Sequence, residues 1–379
     1  MSVRKRKWTT RGGELKEVWI VDYALDGERH IKSFKRKKDA DVYAQQVGVD
    51  IRAGTHTPVS KSITVTQAAE DWIESARVEK LEAATIAQYR QLAHHITERI
   101  GKLKLATLTA KRATAFRDEL LTGMSRPMAR KVLVAFRSLL RDAQRRGSVA
   151  QNVALSVKRI DADKRSKKKL KIGEDIPSME EIRAIVAAMP ERWRPLLLTA
   201  IFTGLRSSEL RGLRWEDVDF KAGELHVRQR ADRYNVIGSP KSKAGHRTVP
   251  LGPEIRNVLR EWKLRCPRSE LDLVFPTSSG GIDRHSDMVR RFKRIVRKAG
   301  LTDAEGEPKY TGLHTLRHFY ASWCINPEDR GGLGLSPKVV QDRLGHSSIV
   351  MTLDTYGHLF PRGDDADKLA KAERALLLG

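Results

Sequence analysis

The chain of 379 residues is strongly basic: its 72 lysines and arginines exceed its 47 aspartates and glutamates, leaving a formal net charge of +25. Its length predicts two or three domains. Its 40% hydrophobic content excludes global disorder, and the sequence has no run of about 18 apolar residues that would span a membrane. This charge predicts a polyanionic partner, usually nucleic acid and less often an anionic membrane surface.

The two cysteines favour a reducing compartment. Cys266 and Cys324 are too few for a disulfide framework and are not spaced as zinc ligands. The basic N-terminal sequence also carries no apolar segment of a secretory signal.

A small β-rich module is predicted over residues 1–57. Two runs of β-branched and aromatic residues, 18–25 and 28–34, flank Asp26-Gly27, a pair typical of a hairpin turn. Apolar residues at helical spacing predict a helix over 37–52. The module either lays its strands on DNA or is a structural unit with a charged face. Its basic N-terminal residues are either a solvated tail or an arm that contacts DNA.

An all-α domain is predicted over residues 62–150. Thr64 and Gln67 have the spacing of a capping box that opens its first helix. Further helices are expected over 85–100, from about residue 109, and over 127–145. The last helix has an apolar face and many arginines elsewhere, which favours a DNA clamp over a solvated surface.

Residues 151–176 are predicted to be a basic interdomain linker. Eight lysines and arginines lie from Lys158 to Lys171, and little between residues 157 and 176 is suited to burial. We therefore expect a flexible segment that also contacts phosphates.

A mixed α+β domain with a C-terminal tail is predicted over residues 177–379, opened by a capping box from Ser178 to Glu181. Its predicted helices cover 178–189, 191–203, 206–213, 253–265, 285–299, 314–325, 336–344 and 348–355. Its predicted antiparallel sheet has strands at 224–230, 235–237 and 247–250, with 241–245 as the turn between the last two.

Four stretches of this domain combine cations, histidines and a tyrosine. They are Thr-Gly-Leu-Arg206-Ser-Ser-Glu209-Leu, Pro-Lys241-Ser-Lys243-Ala-Gly, His314-Thr-Leu-Arg317-His318, and Leu-Gly-His346 with Tyr356 ten residues beyond. Fixed cations stabilise the charge that develops on phosphoryl oxygens, and arginine binds two oxygens at once. Because the sequence shows no acidic cluster for Mg²⁺, this inventory fits metal-free transesterification by a tyrosine, whose phenol needs cations or a base nearby.

The order Arg, Lys, His-x-x-Arg, His, Tyr resembles that of the tyrosine recombinases, the phage integrase family. The resemblance is strong in the last domain, moderate in the helical domain and only general in the N-terminal module. It implies a multidomain, mainly α fold with small β-sheets: a β-rich arm-binding module, an all-α core-binding domain and a mixed α+β catalytic domain. The connection from Cys324 to Ser336 is longer than is usual in the family, and we expect it to be a surface loop.

The resemblance also implies a role for each motif residue. Tyr356 would attack the scissile phosphate and hold a 3′-phosphotyrosyl intermediate. Arg206, Arg317 and His346 would bind the non-bridging oxygens. His314 would assist proton transfer with Tyr356.

Two further motif residues receive roles in the same way. Lys241 would protonate the 5′-oxygen leaving group, with Lys243 as an alternative. Glu209 would orient Arg206 or a histidine, because it lies one helical turn beyond Arg206.

The resulting prediction is a site-specific DNA recombinase, an integrase of a phage or integrative element, that needs no cofactor, metal or ATP. Expected partners are double-stranded DNA attachment sites, further copies in a homotetramer on two sites, and an accessory bending or directionality protein. The expected location is the bacterial cytoplasm, at the nucleoid. The segment 369–378 is expected to be an amphipathic tail that docks on a neighbouring protomer or on its own chain. A type IB topoisomerase-like enzyme and a DNA-binding regulator without catalysis remain alternatives.

Overall fold

The computed structural model describes residues 1–10, 12–25, 27–52, 56–161, 169–361 and 373–377. The chain divides into two compact units, Met1–Ser166 and Lys167–Gly379. The described residues are mostly helical with small antiparallel sheets, as the sequence predicts. None of the described helices is long and apolar enough to cross a membrane.

The first unit begins with a three-stranded antiparallel sheet covered by one helix. Its strands β1 (Ser2–Thr9), β2 (Leu15–Leu25) and β3 (Glu28–Phe34) lie in that order, and α1 (Lys37–Arg52) packs on the sheet through a small core. The predictions for 28–34 and 37–52 are confirmed. Asp26 of the predicted turn lies outside the described residues.

The basic N-terminal residues are an edge strand, so the expectation of a solvated tail is wrong, whereas their contact with DNA stays a prediction. β1 pairs with β2 over its full length, from Ser2 opposite Asp22 to Thr9 opposite Leu15. Ion pairs from Arg4 to Asp22 (3.0 Å) and from Lys5 to Glu17 (2.7 Å) offset the charge that this pairing concentrates. Charge alone therefore does not keep this segment out of the sheet.

The helical part of the first unit consists of α2 (Val65–Val78), α3 (Ala83–Ile100), α4 (Ala110–Gly123) and α5 (Arg126–Arg145). Thr64 and Gln67 form the predicted capping box. The side chains of the apolar face of α5, including Val132, Phe136 and Leu139, are buried in the centre of this core.

The chain that follows α5 packs against these helices, contrary to the expectation that little of it is buried. Val157 and Ile160 belong to the helical core. Arg137 of α5 donates to the carbonyl oxygens of Ala154 (3.0 Å) and Val157 (2.6 Å). Arg137, one of the arginines outside the apolar face of α5, therefore holds the start of the linker. Residues 162–168 lie outside the described part of the chain.

The second unit contains eight helices and one further helical turn within its described residues. They are α6 (Met179–Ala188), α7 (Arg194–Thr203), α8 (Ser207–Arg211), α9 (Pro253–Arg265), α10 (His285–Lys298), α11 (His314–Ile325), α12 (Pro337–Leu344) and α13 (Ile349–Tyr356), with one further turn at 373–377. Ser178 and Glu181 form the predicted capping box of α6. Residues 373–377 are all that the structure describes of the predicted tail.

The strands of this unit form two small sheets rather than the single predicted one. β4 (Val218–Asp219), β5 (Glu224–Val227) and β8 (Arg247–Pro250) pair in that order, whereas β6 (Arg230–Ala231) pairs with β7 (Ile237–Gly238). The predicted strand 224–230 is broken after Val227, where the side-chain amide of Gln229 donates to the carbonyl of Gly212 (2.8 Å). The stretch 241–245 consequently connects two sheets and is not a turn between paired strands.

The long connection after α11 is not simply a surface loop. The backbone amides of Leu333 and Leu335 donate to the carbonyls of Trp323 (3.0 Å) and Cys324 (2.8 Å). Both leucine side chains pack against the core of the second unit. The inserted residues therefore return to cover the end of α11.

Candidate functional site

The turn between α7 and α8 sets the position of Arg206. Gly204 ends α7 in the left-handed region at φ 61°, and a Cβ there would lie 2.3 Å from the ring of Tyr320. Only glycine fits both constraints. Two residues later, Arg206 caps α8, where its backbone amide and its Nη1 donate to the two carboxylate oxygens of Glu209 at 2.8 Å each.

Glu209 is a buried carboxylate between two arginines. Arg247 donates from Nη1 (3.1 Å) and Nη2 (2.8 Å) to its two oxygens, opposite the contact from Arg206. Burial would raise the pKa of Glu209, but the hydrogen bonds and charge of Arg247, with the charges of Arg206 and Arg317, lower it to about 2. The carboxylate is thus fixed as an anion that orients both neighbouring guanidinium groups.

Arg247 was not among the candidates from the sequence. It lies on β8 and faces inward with the buried Val249, two residues on. Its Nε donates to the carbonyl of Arg343 at 2.8 Å, at the end of α12. Side chains alternate between the two faces of a strand, so Arg247 falls on the same face as the apolar Val249. A charged residue on an apolar face was the signal that could have identified Arg247.

α11 presents three motif side chains on one face. His314, Arg317 and His318 stand at helical positions i, i+3 and i+4, which are neighbours on a helix surface. Arg317 is only 1% exposed; it donates to the carbonyls of Gly204 (2.7 Å) and Leu344. Burial, reinforced by Arg206, lowers the pKa of Arg317 to about 9, which still leaves it charged at neutral pH.

His346 follows a second left-handed glycine. Gly345 ends α12 at φ 63°, and its carbonyl accepts from Nη2 of Arg206 at 3.3 Å. The buried His346 bonds through Nδ1 to the hydroxyl of Thr352 at 2.9 Å. Burial and the nearby arginines, Arg317 foremost, lower its pKa to about 4, so its imidazole is neutral at neutral pH.

Tyr356 ends α13 with its hydroxyl inside the site. The residue is 2% exposed, and its ring lies parallel to that of His346 at 6.4 Å between centroids. Burial raises its pKa to about 12, although Arg317 and Arg206 oppose this effect. The nucleophile of the sequence prediction therefore lies beside the predicted cations.

The partner of the tyrosine hydroxyl is His318. Its Nδ1 lies 2.7 Å from the Tyr356 oxygen, while His314 meets His318 edge to face, with ring centroids 4.6 Å apart. The expected proximity of His314 to the tyrosine proton is therefore not seen. The i+4 spacing from His314 was the available signal for His318, which was not among the predicted site residues.

Lys241 lies at the mouth of the site. It lines a cavity of about 660 Å³ together with Arg206 and His314. Lys243, its alternative, opens the 3-10 turn at Lys243–Gly245 and is not among the residues that line this cavity. The described residues contain no group of His, Cys, Asp and Glu side chains suited to a metal ion.

Comparison with known proteins relates this site to a family. Residues 178–362 match the sequence model of the phage integrase family. The chain is 32% identical over 210 residues to a tyrosine recombinase XerC-like protein of Caldanaerobacter subterraneus, a match that spans 49% of this chain and only 50% of that relative. It is 26% identical over 285 residues to the ICEBs1 integrase of Bacillus subtilis, over 73% of this chain and 74% of the other.

A solved structure shares the fold. The Tn1549 transposon integrase in complex with a circular intermediate DNA superposes with a TM-score of 0.65 at 20% identity. The superposition covers 83% of this chain and all of that one. The chain therefore shares the fold of that structure.

Proposed function

We propose that this chain, whose residues 178–362 match the phage integrase family model, is a tyrosine-type site-specific DNA recombinase that integrates or excises a mobile element. The observation that carries the proposal is the buried hydroxyl of Tyr356 beside Arg317, Arg206 and His346. A phenol close to two fixed arginine cations suits attack on a phosphodiester.

Cleavage would proceed by one displacement at phosphorus. The Tyr356 oxygen forms a bond to the scissile phosphorus, and the bond from phosphorus to the 5′-oxygen breaks, which leaves a 3′-phosphotyrosyl ester. Lys241 supplies the proton that the 5′-oxygen takes up, since it lines the cavity next to Arg206. The ester retains the energy of the phosphodiester, so rejoining to another 5′-hydroxyl needs no ATP.

The cations and His346 would hold the phosphate during this step. The Arg206 side chain is 35% exposed, and Glu209 fixes it from behind. Arg317 is held by two backbone carbonyls, so it enters the reaction already oriented. Groups fixed before the reaction stabilise developing charge without reorganisation, which is the function we assign to the network around Glu209.

The first unit would supply most of the DNA affinity. We propose an arm-type DNA-binding module at 1–57, a core-type DNA-binding domain at 62–150, a linker at 151–176 and a catalytic domain at 177–379. The exposed side chains of Arg130, Lys131 and Arg141 on α5 support this division, because clustered cations on one element favour phosphate contacts.

The proposed assembly is a homotetramer on two double-stranded attachment sites, with an accessory bending or directionality protein as a further partner. Strand exchange between two duplexes requires four cleavages, one for each strand. Four protomers with one tyrosine each satisfy this requirement. Attachment sites lie on bacterial DNA, which gives the proposed location at the nucleoid.

A nicked suicide substrate tests the reaction. A nick next to the cleavage site releases the short 5′-hydroxyl fragment, so the covalent protein–DNA adduct accumulates. We expect an adduct with the wild type and none with Tyr356→Phe. Tyr234→Phe is the matched control, because Tyr234 is an exposed tyrosine beside β7, and it should form adduct like the wild type.

The same assay separates the alternatives. Binding without an adduct in the wild type would indicate a regulator. An adduct together with relaxation of supercoiled DNA, but with no exchange between two sites, would indicate a topoisomerase-like enzyme. An adduct formed by Tyr356→Phe would show that another residue is the nucleophile.

A further inference from the structure

The proton on the Tyr356 hydroxyl must leave when the oxygen bonds to phosphorus. The oxygen lies 2.7 Å from Nδ1 of His318, within the range of a short hydrogen bond. Tyr356 is 2% exposed, so solvent has little access to this proton. The acceptor that the structure places within reach of this proton is therefore a protein side chain.

His318 has the protonation state that an acceptor needs. Burial, with the charge of Arg317 and the neighbouring His314 on the same helix, lowers its pKa to about 4, while Asp175, in the turn before α6, opposes the shift. The group that faces His318 from α13 is Tyr356 itself, whose ring meets the imidazole edge to face. At neutral pH the imidazole is uncharged, so with its own proton on Nε2 it offers the Nδ1 lone pair to the phenol.

We propose that His318 is a catalytic residue whose Nδ1 accepts the phenolic proton as Tyr356 attacks the scissile phosphate. The proposal rests on the proposed function. The oxygen–phosphorus bond forms as the O–H bond breaks, the proton passes to Nδ1, and the 5′-oxygen leaves with a proton from Lys241. On rejoining, His318 returns the proton to the tyrosine oxygen.

The entry of DNA makes this transfer easier. A phosphate in the cavity places negative charge next to the site, which favours a protonated imidazole and raises the pKa of His318. Fixed cations at the same time stabilise the phenolate character of the attacking oxygen. The low pKa of His318 without DNA therefore keeps the base ready and uncharged until the substrate is bound.

His314 occupies a different place. It lines the cavity with Lys241 and Arg206, and its ring contacts His318 by its edge or face. It is thus placed towards the phosphate, whereas His318 is placed towards the nucleophile. In this proposal His318 takes the proton-transfer role that the resemblance implied for His314.

Single-turnover adduct formation on two suicide substrates tests the assignment. One substrate has the natural 5′-bridging oxygen and the other a 5′-bridging sulfur, whose thiolate leaves without a proton because thiols are far more acidic than alcohols. The variants are His318→Asn, which keeps an acceptor near Nδ1 but takes up no proton, and Lys241→Ala. His226→Asn is the matched control, because His226 lies on β5 and bonds only to the hydroxyl of Thr248 among the contacts described for it.

We expect His318→Asn to slow adduct formation by about 10²–10⁴-fold on both substrates. Its residual rate should rise with pH, because a growing fraction of the phenol then ionises without a base, while DNA affinity stays unchanged. Lys241→Ala should be slow on the oxygen substrate and nearly normal on the sulfur substrate. The His226 control should match the wild type throughout.

Several results would overturn the proposal. These are a His318→Asn rate within about threefold of wild type, a rescue of that variant by sulfur, or a pH profile unchanged from wild type. If thermal unfolding shows that His318→Asn is misfolded, His318→Gln is measured against the same criteria. A wild type without any adduct would instead reject the proposed function, and this assignment with it.

Discussion

The buried charge cluster around Glu209 gives a prediction whose size follows from the structure. Arg247→Met removes the two hydrogen bonds that Glu209 accepts at 3.1 and 2.8 Å and leaves a carboxylate that is 3% exposed. The pKa of Glu209 is about 2 against an ordinary 4.5, a difference equivalent to roughly 3 kcal/mol of folding free energy at neutral pH. Breaking a buried ion pair from one side costs about 3–5 kcal/mol in general. We therefore expect a loss of about 3 kcal/mol, since Arg206 still contacts the carboxylate.

The depressed pKa of Glu209 also determines how this stability loss changes with pH. A carboxylate whose folded pKa is depressed contributes stability above pH 4.5, and that contribution is lost as the pH falls towards 2. Arg247→Met lacks most of this contribution. The gap between variant and wild type should thus be full at pH 7 and should narrow below pH 4.5.

Hydrogen exchange of peptides that span α8 and β8 measures this loss within the second unit alone. Arg265→Met is the matched control, because its ion pair with Glu191 is exposed on both sides and should contribute less than about 1 kcal/mol. The double variant Arg247→Met/Glu209→Gln should recover part of the loss, because the buried charge is gone. A loss below about 1 kcal/mol for Arg247→Met, equal to that of the control, would refute the reasoning.

Three further predictions concern protons and DNA. The pKa values of His318 and His346 are both lowered to about 4, so the unfolded chain binds these protons first and the folded second unit loses stability as the pH falls from about 6.5 to 4. In urea unfolding, the stability of His346→Gln should fall less steeply over this pH range than that of the wild type. Lys241→Ala should lower adduct formation by about 10²–10⁴-fold, whereas Lys243→Ala should leave it near wild type, and a larger loss for Lys243→Ala would exchange their roles. DNA affinity should fall steeply with salt, with a logarithmic slope of about 0.9 for each neutralised phosphate; a flat response in a binding titration would contradict the nucleic-acid partner.

The sequence was informative where local rules decide the outcome. The capping boxes at Thr64 and Ser178 mark helix starts that the structure confirms. The helix His314–Ile325 is found at its predicted bounds. Side-chain spacing along a helix also placed His314 and Arg317 on one face, because that geometry depends only on the helical repeat.

The sequence was uninformative where contacts between distant segments decide. β1 joins a sheet despite its charge because β2 supplies Glu17 and Asp22 opposite its cations. Arg247 reaches Glu209 across 38 positions of sequence, and His318 reaches Tyr356 across 38 as well. Motif spacing identifies which residues are present, but only the packed fold shows which nitrogen touches the nucleophile.

The most direct measurement for the whole account is the identity of the amino acid that carries DNA. The adduct trapped on a nicked attachment site is digested with protease and nuclease, and the modified peptide is sequenced by mass spectrometry. The account predicts a nucleotide joined through its 3′-phosphate to the side-chain oxygen of Tyr356. A nucleotide on any other residue, or a 5′-linked nucleotide, would contradict it.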